Sequence, residues 1–149
     1  MCILAGCGGS GETKFTSVSG NGFRFDVPAG WQVKAIPRGV GASHDSEMVQ
    51  VAAFPLVKVY DPALFNRVAT ELAVRMQEIA QQTGGKITKV ETATPAGIKS
   101  HSYLVDVGNH VDQYTFVLRG KREYQLLCRR RSSSSDAFCA RLISSFTPA

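Results

Sequence analysis

The sequence is poor in the marks of catalysis and of membrane spanning. No apolar run approaches the roughly 20 residues that a helix needs to cross a bilayer, so the chain is not expected to span a membrane. Histidine occurs three times, as His44, His101 and His110, and tryptophan once, as Trp31. There is no Walker loop, no G-x-S-x-G turn, no H-E-x-x-H and no C-x-x-C, which leaves phosphoryl transfer, the common serine hydrolases, zinc proteolysis and thiol redox chemistry without their usual residues. Acidic residues are in deficit, 12 against 17 Lys plus Arg, for a net charge of +5 over 149 residues. That length suits one domain with its own core. No enzyme activity, cofactor or metal is expected.

The positive charge is clustered at Arg119, Lys121 and Arg122 and again at Arg129, Arg130 and Arg131. Such clusters meet phosphate on lipid headgroups or nucleic acid, or they are a solvated loop and strand end. No aromatic stacking pattern or recognition helix accompanies them, so nucleic acid is not an expected partner.

The opening "MCILAGCGGSGE" admits two readings. Gly6, Gly8 and Gly11 satisfy G-x-G-x-x-G, but a dinucleotide loop must open directly into a helix. The following "ETKFTSVSGNGFRFDV" is rich in β-branched residues, Gly and aromatics and reads as strand and turn. The motif "LAGC" resembles instead the lipobox of bacterial lipoproteins, which makes Cys7 the lipid-bearing cysteine and "GGSGETK" a tether with a reach of about 15 Å. Only six residues precede Cys7, fewer than a signal peptide needs; the expectation is a start assigned too far downstream or a trimmed leader. The expected organisation is therefore residues 1–7 as the remnant of signal peptide and lipobox, 8–14 as the tether and 15–149 as a single domain, lipid-anchored on the extracytoplasmic face of a cell membrane. A cytosolic protein with a chance match is the alternative.

Cys128 and Cys139 bracket "RRRSSSSDAF". This is not zinc-ligand spacing, and no second Cys/His pair stands nearby. In an oxidising compartment the pair reads as a disulfide worth roughly 3 kcal/mol; two buried thiols are the other reading.

From Phe23 the pattern alternates, with Phe23, Phe25 and Val27 on one face, then the turn "PAG", then Trp31, Val33 and Ala35, which predicts a β-hairpin. "EMVQVAAFPL" reads as a more buried strand. Asp61 and Pro62 open a helix whose apolar stripe is Leu64, Phe65, Val68, Leu72, Met76 and Ile79, ended by Gly84 and Gly85. After "KITKVETAT", three strands joined at Gly108-Asn109 and Gly120-Lys121 form an antiparallel meander. Two-residue turns set Tyr103 opposite Tyr114, His101 opposite Phe116 and Val117 opposite Tyr124. One face then carries His101, Tyr103, Val105, Tyr114, Phe116 and Leu127; the other carries Leu104, Thr115, Val117, Tyr124, Leu126 and Cys128. Both need cover. A Cys128–Cys139 bond would put a C-terminal helix, with Phe138, Leu142, Ile143 and Phe146 inward, on the second face and leave the first to the long helix. The predicted class is α+β, an antiparallel meander sandwiched between one long helix and a short C-terminal helix.

"GFRFDVPAGWQV", one long amphipathic helix, a meander and a terminal helix ending "LISSF" resemble the PsbP-like fold shared with the Ran-binding Mog proteins. The resemblance covers residues 15 to 147. Its members include actinobacterial lipoproteins with a comparable late cysteine pair, and it implies an α/β/α sandwich but carries over no functional residue set.

Of the candidate site residues, His110 and Asp112 share a strand face and permit two metal ligands without an evident third. His44, Asp45 and the neighbouring serines suggest a hydrolytic trio only superficially. The segment from Pro37 to Glu47 reads as a loop forming a binding rim, with His44, Asp45 and Trp31 as its residues, although Trp31 suits the core better than a ligand platform. The expected function is a non-enzymatic envelope lipoprotein that binds or assists a protein partner, held to the membrane by the lipid on Cys7. The alternatives are a carrier or sensor of a small apolar ligand and a small hydrolase or metal enzyme.

Overall fold

The computed structural model describes residues 13–149. Cys7 and most of the 8–14 tether lie outside the described residues. Ten strands and two helices follow in order: β1 Phe15–Gly20, β2 Phe23–Pro28, β3 Gln32–Ile36, β4 Gly39–His44, β5 Glu47–Pro55, α1 Phe65–Thr83, β6 Lys86–Ala93, β7 Ser100–Asp106, β8 His110–Arg119, β9 Arg122–Arg131, α2 Ala137–Ser145 and β10 Thr147–Pro148. Among the described residues no helix is long and apolar enough to cross a membrane.

A seven-stranded sheet in the order β3-β4-β5-β9-β8-β7-β6 forms the centre, and every pairing within it is antiparallel. The turns Gly108-Asn109 and Gly120-Lys121 each connect neighbouring strands through two residues, so the expected register holds: Tyr103 faces Tyr114, His101 faces Phe116 and Val117 faces Tyr124. Gly108 and Gly120 both sit at positive φ, which a tight hairpin turn requires.

Each face of this sheet has its own cover. On one, Leu72 and Met76 of α1 bury against Tyr103, Val105 and Phe116, each such side chain contributing about 2 kcal/mol of apolar burial. On the other, Val49, Val51, Val117 and Leu126 pack under Leu142 of α2. A disulfide between Cys128 on β9 and Cys139 on α2 fastens that helix to the sheet.

Two expectations change. β2 does not form a hairpin with β3. It pairs with β1 and β10 in a separate three-stranded sheet, which lies beside α2 and buries Phe23, Phe25 and Val27 in the same core. β3 crosses to the edge of the large sheet, where Val33 is 47% exposed. The Trp31 N–H bonds the Pro28 carbonyl at 3.3 Å across "PAG", but no ladder pairing follows, because the two strands share no buried face. The second change concerns the segment from Pro37 to Glu47. It is not a loop: β4 occupies most of it, paired on both sides, with Val40 and Ala42 in the core.

Asp61 acts as the expected cap, its Oδ1 accepting from the Ala63 N–H at 2.9 Å. It caps a short 3-10 turn, Pro62–Leu64, that leads into α1. Gly84 ends α1 in the left-handed conformation. Of the predicted stripe only Leu72 and Met76 are fully buried, and Leu64 remains 39% exposed. The first turns of α1 therefore lie beyond full cover, and this shapes the site.

Candidate functional site

The strands of the meander give the molecule two ends, and one arginine cluster lies at each. At the first end are the β7–β8 and β4–β5 turns and the C-terminus of β9. Arg129 holds Asp112 through two hydrogen bonds, Nε to Oδ1 at 2.8 Å and Nη2 to Oδ2 at 2.9 Å. Asp112 is fully buried, and this bonding pushes the Arg129 guanidinium pKa up further. Burial, reinforced by the nearby Asp112 charge, raises the Tyr114 hydroxyl pKa. The Arg131 backbone N–H donates to Glu47 Oε2 at 3.0 Å, and Arg130 Nη1 donates to the Ser134 carbonyl at 3.2 Å. All three arginines are engaged within the fold.

This arrangement settles the histidines. His110 Nε2 lies 3.7 Å from Asp112 Oδ1, but both oxygens of Asp112 already accept from Arg129. His110 Nδ1 is hydrogen-bonded to Asn109 Oδ1 at 2.8 Å. His101 stacks on Phe65 at 3.8 Å between ring centroids, and its Nε2 donates to the Phe65 carbonyl at 2.8 Å, pinning the start of α1 to the sheet. His44 and Asp45 end β4 as an exposed pair 3.5 Å apart. Trp31 stacks over His44 at 6.3 Å and meets Phe138 edge-on at 5.0 Å. The structure thus gathers Trp31, His44 and Asp45 at one corner, as a surface cluster made by the residue before β3, the end of β4 and the β4–β5 turn. Beside it a shallow cavity of about 250 Å³ is lined by Thr13, Trp31 and Glu47.

The opposite end is built differently. Here lie the β8–β9 turn, the β3–β4 turn, the β1–β2 turn, the start of α1 and the segment 56–64. Segment 56–64 runs along the turn, with the Leu56 N–H bonded to the Lys121 carbonyl and the Tyr60 N–H to the Gly120 carbonyl, both at 2.8 Å. It leaves Val57 95% and Val59 63% exposed. Between this segment and α1 opens a cavity of about 620 Å³ with Leu64, Val68, Leu72 and Leu118 in its walls. Tyr60 and Leu118 are shared with a second cavity of about 350 Å³ against Phe65 and Ile98. The two form one open groove. Burial, then the neighbouring Asp61 charge, raises the Tyr60 hydroxyl pKa.

Cations surround the groove. Lys58 and Arg67 line the larger cavity and Lys99 and Arg119 the smaller, with Lys99 Nζ 4.5 Å from the Phe65 ring centroid. Of the two carboxylates in the walls, Glu71 and Glu123, the second is paired with Arg75 at 2.9 Å. Arg38, Lys121 and Arg122 line a third cavity of about 440 Å³ on the far side of the β8–β9 turn.

Arg119, Lys121 and Arg122 stand out in the sequence, whereas segment 56–64 does not. Its signal was present: Val57 and Val59 alternate with Lys58 between Pro55 and the Asp61-Pro62 cap. Apolar residues between such breakers sit outside any regular element and must either find cover or stay exposed.

The fold has a PsbP-like architecture. A solution structure of cyanobacterial PsbP (CyanoP) from Synechocystis sp. PCC 6803 superposes with a TM-score of 0.66 over 98% of this chain and 99% of that one, at 18% sequence identity. That likeness shows the fold. A crystal structure from Bacteroides thetaiotaomicron VPI-5482 matches 85% of this chain and 45% of its own at 10% identity, with a TM-score of 0.48 that carries no argument. No family model and no curated protein matches the chain.

Proposed function

We propose that the protein is a non-enzymatic binding or accessory module for a protein partner, an extracytoplasmic lipoprotein held to the cell membrane by a lipid on Cys7. The observation that carries the binding role is the groove beside α1, where the exposed Val57 and Val59 lie together with cations. A contiguous exposed apolar surface of this kind marks an interaction site. The non-catalytic reading is supported by the histidines, each of which is engaged with an aromatic ring, an amide or a carboxylate of the fold. The anchor reading is supported by "LAGC" and by the Cys128–Cys139 bond, which suits an oxidising compartment.

The test is photo-crosslinking of the full chain in envelope membranes of its native host, with reporters placed over the surface, together with the intact mass of the extracted protein. A crosslinked envelope protein and a lipid-modified species starting at Cys7 are expected. An unmodified chain would remove the anchor, and no crosslink from any position would remove the partner.

A second reading, a carrier of a small apolar ligand, draws on the size and apolar walls of the same groove. Native mass spectrometry after incubation with cell lipids is its test, and the bare polypeptide alone would overturn it.

A further inference from the structure

We infer that the end of the molecule carrying segment 56–64 and the β8–β9 turn docks an acidic, amphipathic protein segment. Its apolar side chains would enter the groove beside α1, and its carboxylates would meet Lys58, Arg67, Lys99 and Arg119. The inference rests on the reading of the protein as a partner-binding module and specifies the surface and the chemistry of the partner.

Charge complementarity is the first argument. Arg38, Lys58, Arg67, Lys99, Arg119 and Lys121 have no carboxylate partner among the described residues. Clustered unpaired cations repel one another and favour an anionic partner, which they also steer in from solution. The apolar component is the second argument. Val57 and Val59 flank Lys58 and line the larger cavity while staying 95% and 63% exposed, so the groove offers apolar surface that the fold itself does not cover. Such a surface suits an extended amphipathic segment, with anchors in the groove and a charged rim outside.

The placement of the chain start favours protein over membrane. The described chain begins at Thr13, beside Trp31 and Glu47, at the end where Glu47 meets Arg131. The ten residues of β9 separate that end from the β8–β9 turn by about 30 Å. From Cys7 to Thr13 the chain reaches at most about 20 Å. A lipid on Cys7 would therefore tether the domain by its Trp31 end, leaving the cationic end the farther of the two from the point of attachment and open to a protein partner.

The test is a binding titration of the full chain with two fluorescent peptides, a Glu/Leu amphipathic helix and its Lys/Leu counterpart, and with phosphatidylglycerol vesicles. The acidic peptide is expected to bind and the basic one not. Added salt should weaken binding, and the double variant R119E/K121E should weaken it by roughly tenfold or more. Val57→Asp should weaken it as well, and circular dichroism should show both variants folded. Equal binding of both peptides, no binding of the acidic one, or binding indifferent to the variants would overturn the inference. Vesicle binding lost in the same variants would assign the surface to a membrane instead. A crosslink to an envelope protein from Val90 but none from Val57 would also remove this docking surface, yet leave the binding module standing.

Discussion

The two arginine clusters are nearly alike in sequence and opposite in circumstance. At Arg129–Arg131 the fold supplies Asp112, Glu47 and the Ser134 carbonyl. At Arg119–Arg122 the neighbours are Lys58, Lys99 and Arg38, and no carboxylate pairs with any of them among the described residues. A buried carboxylate converts charge into part of the structure. Without one, the same residue types remain a surface field whose energy appears only when a partner arrives. The difference separates arginines tied into the fold from cations left on its surface.

Removing Asp112 tests the comparison most severely. Asp112→Ala leaves the Arg129 guanidinium, about one-third exposed, without its carboxylate, and a loss of about 3 kcal/mol is expected from denaturant unfolding. An unchanged midpoint would place Arg129 in the same class as Arg119. Reduction of Cys128–Cys139, or the Cys128→Ser/Cys139→Ser pair, is expected to cost roughly 3 kcal/mol, lowering Tm by about 10 °C, because the unfolded chain is no longer closed into a loop and gains conformational entropy. Reductant that leaves the melt unmoved would show that packing alone holds α2.

A pH effect should follow from the tyrosines. Burial raises the pKa of Tyr114 and Tyr103 above the ordinary value of 10.0. The folded state thus keeps these protons where the unfolded chain releases them. Their contribution is fully present below about pH 10 and is lost as pH rises through the higher folded values. Alkaline unfolding monitored by tyrosinate absorbance should show this, and Tyr114→Phe should flatten the loss; a melt independent of pH up to that range and beyond would contradict it. The smallest effect belongs to the open end. Arg119→Ala/Lys121→Ala should change unfolding free energy by less than about 0.5 kcal/mol, and a larger loss would show those side chains to be structural.

Much of the fold was legible because its signals are local. Asp61-Pro62 specified the helix start through a cap and a fixed φ. The Gly108-Asn109 and Gly120-Lys121 turns fixed the meander register, and the alternating residues then sorted themselves onto the two covered faces. The β2–β3 hairpin failed because a strand's alternation states which side is buried but not which neighbour it pairs with. Polar and small residues between Pro37 and Glu47 suggested a loop. Ladder bonds on both sides of β4 outweighed that composition. Trp31, His44 and Asp45 do come together in space, through ring stacking of Trp31 on His44 and the His44–Asp45 pair.

By itself, the sequence determined the long helix, the meander and its register, and which of the meander's residues share a face. Each depends on a cap, a turn or a period acting within a few residues. Only the tertiary structure decided that β1, β2 and β10 form a sheet of their own, that the uncovered turns of α1 meet segment 56–64 as a groove, and which arginine cluster is neutralised. These depend on residues far apart in the chain arriving side by side: Glu47 reaches Arg131 and Leu56 reaches Lys121 only after β5 has paired with β9.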